Sequence, residues 1–249
     1  VTPLLAAWLV ACTTAPPAPF AQWVWTEADR APLADLRASQ PGAVAGVHIA
    51  TLHYADGVVR SELSLAPGLV DPPRALVIRL DDDLHAAFDA LPDDALAAAL
   101  AAPLTRLLAL ADQRGASVEL QLDYDVPVRL LPRWAAVLRL LRGGCLAGRP
   151  LWVTSLVAHL QRPDYGALFV GVIDGHILQV FDTGDRAPSA ATVRALAEAA
   201  DLPYRWGLGA FERGDTTAHR AWFSATSGCT GRCQARWVFP AGQPWRDLR

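Results

Sequence analysis

Residues 117–142 read SVELQLDYDVPVRLLPRWAAVLRLLR, and the pattern changes character half-way. The first half alternates. Side chains of an extended chain point to opposite faces in turn, so Gln121, Asp123 and Asp125 share one face and Leu120, Leu122 and Tyr124 the other. The second half, WAAVLRLLR, reads as the helix that follows. A polar face of Gln-Asp-Asp on an otherwise apolar strand needs a physical reason, because a buried carboxylate is costly unless it is paired or used. In a barrel of parallel strands that reason is the site at the carboxyl ends of the strands.

The same strand-then-helix rhythm runs through the chain. Strand-like stretches open at Gln22, Ala45, Ala75, Ser117, Leu151, Ile177, Tyr204 and Ala235, eight openings in all, which is the strand number of a closed barrel. ALVIRL at 75–80 is apolar except for Arg79, as in a parallel strand covered on both faces. Helices are predicted over 27–39, over 84–112 with a break at Pro92 or Pro103, and over 189–200 with Ser189 as N-cap. Asp56-Gly57 predicts a hairpin turn, with Val58 to Leu65 as the returning arm. Residues 213–231 read as a long Gly-rich loop. The expected fold is therefore α/β, a single (β/α)8-type, TIM-like barrel over 22–249, with a helix missing between the second and third strands. An open doubly wound sheet is the alternative. No Gly-x-Gly-x-x-Gly follows the first strand, which argues against a dinucleotide-binding version of it.

Composition narrows the function. The chain has 249 residues, a formal net charge of −3 and no excess of basic residues that would serve a nucleic-acid partner. Pro3 to Ala11 is apolar but too short to span a bilayer, and suits the core of an export signal. Leu9-Val10-Ala11-Cys12 resembles a bacterial lipobox, which implies cleavage before Cys12 and a lipid on its sulfur. The Pro-rich residues after it read as a tether, so 1–21 form a signal and linker and the protein is expected at the cell envelope, anchored to a membrane by lipid. Cys229 and Cys233 in SGCTGRC suit a small disulfide of an oxidising compartment. Cys145 reads as a buried free thiol.

Asp123 and Asp125 are the candidate catalytic pair. Two residues along a strand separate α-carbons by roughly 6.6 Å, and paired carboxyls can divide roles between acid and charge. Glycoside cleavage is the commonest use of such a pair. Candidate substrate-binding residues are Trp25, as a stacking face for a sugar ring, Gln121 and Gln179, as partners for hydroxyls, and Asp182, as a second acid at a strand end. Arg79 either holds a carboxylate ionised or forms a structural ion pair with Asp123. No cofactor and no metal site are expected. Asp81-Asp82-Asp83 reads as the charged start of a helix. His48 and His53 lie five apart on one strand and face opposite sides.

QLDYD followed by the helix and by LWVTSL resembles the DUF3142 family of bacterial proteins, and QWVWTEA, LVIRLDD, ILQVFDT and LPYRWGLGAF extend the likeness over about 22–211. The resemblance implies an exported barrel of the glycoside-hydrolase type. The central strand is also similar to the Asp-x-Asp-x-Glu strand of chitinase-like barrels, but Pro127 stands two positions after Asp125, where those enzymes keep the acid. The expected function is binding and hydrolysis of a polysaccharide or oligosaccharide. The alternative is a non-catalytic carbohydrate-binding or envelope-structural lipoprotein. A second carboxylate across the mouth from Asp125 (Asp182, Glu212 or Asp83) separates the two.

Overall fold

The computed structural model describes residues 19–66, 69–70, 73–112, 118–181, 188–209, 216–226, 229 and 231–242. In chain order the elements are β1 (Phe20–Val24), α1 (Arg30–Ser39), β2 (Val44–Ala55), β3 (Val58–Leu63), β4 (Ala75–Leu80), α2 (Leu84–Ala90), α3 (Asp93–Asp112) and β5 (Glu119–Asp123). Then follow α4 (Leu131–Arg142), β6 (Leu151–Leu156), α5 (Val157–Leu160), α6 (Tyr165–Phe169), β7 (Gly175–Gln179), α7 (Ala190–Ala199), β8 (Tyr204–Gly209), α8 (Thr216–Ala225) and β9 (Cys233–Phe239). The strands run in the order β1-β9-β8-β7-β6-β5-β4-β2-β3, and β1 also pairs with β2. That last pairing closes a ring of eight parallel strands. β3 lies outside it, antiparallel to β2. The fold is a (β/α)8 barrel, and the open-sheet alternative is excluded by the β1–β2 pairing.

The hairpin arm β3 stands where a crossover helix is missing between β2 and β4. Asp56, with φ 53°, and Gly57, with φ 77°, make its turn in the left-handed region that short polar residues and glycine tolerate. The predicted helix over 84–112 is broken at Pro92. Leu91, the residue before it, is extended (φ −121°, ψ 143°), as proline's ring demands of its predecessor, and α3 continues through Pro103. Ser189 caps α7 by accepting from Thr192 N. The expectation of a loop over 213–231 is corrected by α8, whose Trp222 and Phe223 are buried. β1 begins at Phe20, two residues earlier than expected. Among the described residues no helix is long and apolar enough to cross a membrane.

Two cores follow from the period-2 alternation. Outward-facing Leu120, Leu122 and Tyr124 join the large core between strands and helices, together with Trp134, Val137 and Leu138 of α4. Tyr204 and Trp206 belong to it too. Inward-facing Ala21, Trp23, Ala75, Val77, Trp152, Ile177 and Trp237 fill the barrel itself. Three tryptophans fit there because glycines stand opposite them. A Cβ on Gly46 would lie 2.8 Å from the Trp237 ring, and one on Gly175 would lie 2.5 Å from the Trp152 ring.

Candidate active site

Register places three side chains of β5 on the inner wall at successive heights. Ala75 pairs with Glu119, Val77 with Gln121 and Arg79 with Asp123. At the lowest level Glu119 forms a buried ion pair with Arg205, whose guanidinium lies 3.5 Å over the Trp152 ring. One level up, Gln121 donates to Glu119 Oε1 over 2.7 Å and accepts from Trp23 Nε1 over 2.7 Å. Gln121 is fully buried and does not line the cavity above it. Its expected role in binding a ligand is corrected accordingly. Its amide is occupied by Glu119 and Trp23.

Asp123 forms the top level. Arg79 Nη1 donates to its Oδ2 over 3.0 Å, and Gln179 Nε2 donates to its Oδ1 over 3.1 Å. Each of its oxygens therefore accepts from one side-chain donor. Asp125 lies just past the strand. The ladder ends at Arg79 and Asp123 on one side and at Leu122 and Val153 on the other. Side chains take over the positioning. Tyr124 N donates to Thr154 Oγ1 over 2.9 Å, and His159 Nε2 donates to the Val126 carbonyl over 2.8 Å. Leu156 N donates to His159 Nδ1, which fixes that tautomer. Asp125 is thus held from both flanking residues.

Arg79 Nη2 lies 3.6 Å from Asp125 Oδ2, so one guanidinium touches both carboxyls. Burial pushes the Asp125 carboxyl above the usual carboxylate range, the neighbouring Asp123 pushes it further, and Arg79 opposes both. Burial lowers the Arg79 guanidinium, but Asp123 and Asp125 outweigh it, so the net direction is up. Asp125 Oδ1 is buried with no hydrogen-bond partner among the described residues, and so is Trp25 Nε1.

These groups surround a cavity of about 150 Å³, lined by Trp23, Trp25, Phe181 and Phe239 as aromatic walls, with Val77, Arg79, Asp123, Asp125, Thr154 and Gln179. Trp25 is backed by His48, its ring stacked 4.1 Å from the imidazole. Burial lowers the His48 pKa to about 4, only partly offset by Asp123, so this support is a neutral ring. β2 carries a bulge between His48 and Ala50. The shift sets both His48 and Thr51 opposite the inward residues Val77 and Arg79. The expectation that His48 and His53 face opposite sides is thereby corrected: they share a face and differ in height, His48 under Trp25 and His53 at the rim, where Asp81 and Asp83 face it.

The structure therefore brings Asp123, Asp125, Arg79, Gln179 and Trp25 together at one end of the barrel. Asp182 and Glu212 lie outside the described residues, as does Cys12. Asp83 is turned toward His53 and Tyr54 and is not part of the cavity lining. Cys229 and Cys233 are disulfide-bonded at the start of β9, the end of that strand away from the cavity, and Cys145 is free and half-buried. Sequence reasoning missed Trp23, Phe181, Phe239 and Thr154. Trp23 carried a signal, since it is two residues from Trp25 and shares its face.

No protein-family model matches the sequence, and a search of curated proteins returns no match. Solved structures do match. The catalytic domain of a family GH18 chitinase from the fern Peteris ryukyuensis aligns with TM-score 0.55 and 12% identity, over 92% of this chain and 95% of that one. A family 18 chitinase from Crocus vernus aligns with TM-score 0.55 and 11% identity, over 92% and 95%. The Bacillus cereus spore cortex-lytic enzyme SleL aligns with TM-score 0.57 and 15% identity, over 93% of this chain and 73% of that one. By fold the chain is a (β/α)8 barrel like those three.

Proposed function

We propose that the cavity binds one sugar ring of a glycan and that Asp125 gives a proton to the adjoining glycosidic oxygen. The observation that carries this reading is Asp125 itself. Its Oδ1 is buried and unpartnered among the described residues, its carboxyl is held above the usual range, and Asp123 beside it accepts from two donors. An acid held above the usual range beside a carboxylate that accepts two donors supplies a proton and a stabilising charge. The aromatic walls offer flat apolar faces to a ring, and Trp25 Nε1 offers a hydrogen bond to it. A cavity of about 150 Å³ takes a single ring rather than several. The fold neighbours named as chitinases support a polysaccharide as the ligand.

Both acids come from one strand end, and among the described lining residues no carboxylate faces them from across the cavity. A protein nucleophile or a water-activating base has to attack from the opposite face of the ring. The arrangement fits substrate-assisted cleavage instead. The acetamido oxygen at C2 of the sugar forms a bond to the anomeric carbon as the glycosidic C–O bond breaks. The proton of Asp125 goes to the departing oxygen, and the charge of Asp123 balances the cation formed. Water then opens that cyclic intermediate and returns the proton to Asp125. The substrate class is a polymer of 2-acetamido sugars.

The test is a panel of polysaccharides with and without 2-acetamido groups, assayed for released reducing ends. Wild type should cut only the acetamido polymers, and Asp125→Asn should be slower by about 10²–10⁴-fold. Equal turnover by both proteins removes Asp125 from the mechanism. One observation favours a second reading, binding without cleavage: among the described lining residues the only charged groups are Asp123, Asp125 and Arg79, with no second carboxylate across the mouth. Saturable binding of a glycan by wild type with no product would select that reading.

Export and lipid anchoring through Cys12 belong to the same proposal, supported by the lipobox-like Leu9-Val10-Ala11-Cys12, as does the likeness of QLDYD to the DUF3142 strand. Cys12→Ser should leave the protein without lipid and release it from membranes. Normal membrane retention of that variant would count against the anchor.

A further inference from the structure

A second constellation lies on the same rim of the barrel, outside the cavity. β2 supplies His53, and the turn between β4 and α2 supplies Asp81 and Asp83. One oxygen of each carboxylate is tied to the backbone. Asp82 N donates to Asp81 Oδ1 over 2.7 Å, and Tyr54 N donates to Asp83 Oδ1 over 2.9 Å. The other two oxygens both face the imidazole. Asp81 Oδ2 lies 3.0 Å and Asp83 Oδ2 3.3 Å from His53 Nδ1. One ligand atom from each of the three residues falls within 4.8 Å of the others.

The far side of the ring adds an independent feature. Glu62, on β3, places a carboxylate oxygen 3.5 Å from His53 Nε2. A metal-bound histidine almost always donates its other N–H to such an outer carboxylate, which fixes the tautomer and turns the bare nitrogen to the ion. With the proton on Nδ1 the ring donates to the two carboxylates at 3.0 and 3.3 Å. With it on Nε2, toward Glu62, Nδ1 and the two carboxylate oxygens become three acceptors around one point, which a cation can occupy in place of that proton. His53 is about a third exposed, with side-chain accessibility of 30%, so an ion reaches the site from solvent.

We propose that His53, Asp81 and Asp83 bind a divalent transition-metal ion, with Glu62 orienting the imidazole. One nitrogen and two oxygens form the protein part of a zinc site that keeps a position for water. The imidazole favours Zn²⁺ over Mg²⁺ and Ca²⁺, which take all-oxygen sets. The site stands apart from the glycan reading, since none of these residues lines the cavity. Its structural effect is to tie β2 to the turn that follows Arg79.

The experiment uses the full chain, stripped with a chelator and titrated with Zn²⁺ by calorimetry, with metal content measured by mass spectrometry. Wild type should take one ion through this site and melt at a higher temperature when loaded. His53→Gln and the Asp81→Asn/Asp83→Asn pair should lose that ion and the melting shift. Glu62→Gln, an exposed change that leaves folding intact, should weaken Zn²⁺ affinity by about 10–100-fold. Mg²⁺ and Ca²⁺ at the same concentration should leave the melting temperature unmoved. Absence of Zn²⁺ binding by wild type, or equal affinity in wild type, His53→Gln and Glu62→Gln, overturns the proposal.

Discussion

Arg79 and Asp123 face each other across the β4–β5 seam at the same register, and Nη1 of the arginine donates to the carboxylate over 3.0 Å. The second nitrogen of the same guanidinium reaches Asp125 at 3.6 Å. Arg79 therefore acts on the proposed acid in two ways. Directly it favours the ionised form of Asp125. Indirectly it holds in place the charge of Asp123, which favours the protonated form.

The direct effect gives a signed pH prediction. Asp125 works as an acid only while protonated, so activity falls as pH rises through its elevated pKa. Arg79 lowers that pKa. Arg79→Gln should therefore move the alkaline limb of kcat/KM to higher pH, while the maximum drops because Asp123 has lost a donor. Full pH–rate profiles of both proteins check this. An alkaline limb that stayed in place in the residual activity of Asp125→Asn would rule out Asp125 as the titrating acid.

The buried pair beneath the cavity bears on stability rather than chemistry. Glu119 and Arg205 have side-chain accessibilities of 4% and 9%. Removing one charge strands the other in the barrel, so Glu119→Gln should cost about 3–5 kcal/mol. Glu119→Leu/Arg205→Met together should cost less than either change alone, since no charge is left behind. Urea unfolding of Glu119→Gln, of the two single changes Glu119→Leu and Arg205→Met, and of the double measures the difference.

Two glycines of the inner wall should behave differently on gaining a methyl group. At Gly175 the new Cβ would meet the Pro203 carbonyl at 2.6 Å as well as Trp152 at 2.5 Å. Backbone cannot swing aside, so Gly175→Ala should cost about 1–3 kcal/mol. At Gly209 the close atoms belong to the Phe181 side chain, 2.6 Å away. That ring can move, and it is a wall of the cavity. Gly209→Ala should therefore weaken glycan binding more than it lowers the melting temperature, and titration calorimetry beside thermal melts separates the two.

Buried histidines set the response to acid. Burial holds His159 down to about 4, with the Val126 carbonyl only partly opposing it, and burial together with His159 holds His176 down to about 3. The unfolded chain takes up these protons near pH 6.5. Their contribution to stability is therefore complete above about 6.5 and is lost as pH falls from there toward 4. Melting temperature should decline over that window, and His159→Gln should flatten the decline. A variant that falls as steeply as wild type would show that other groups govern it.

The alternation in 117–125 was enough to orient Asp123 and Asp125, because one polar face on an apolar strand has a single sensible direction in a barrel. Arg79, Gln179 and Trp25 followed from the same contrast of a polar or aromatic residue near a strand end. Trp23, Phe181, Phe239 and Thr154 were not legible this way, since aromatic and β-branched residues are ordinary in strands and only cross-strand register shows which of them meet. Gln121 was misread because alternation gives the face but not the height, and its height is one level below the cavity. Helix α8 was hidden by its polar, Gly-rich surroundings, although Trp222 and Phe223 supply the buried side of it.

The indole rings of Trp152 and Trp237, seated on glycines, stopper the lower barrel. Traffic through the cup is consequently one-ended. On the proposed glycan reading, a long polymer would have no exit below and would lie across the opening with one residue dipped in, so the lip, more than the floor, would decide which chains are admitted.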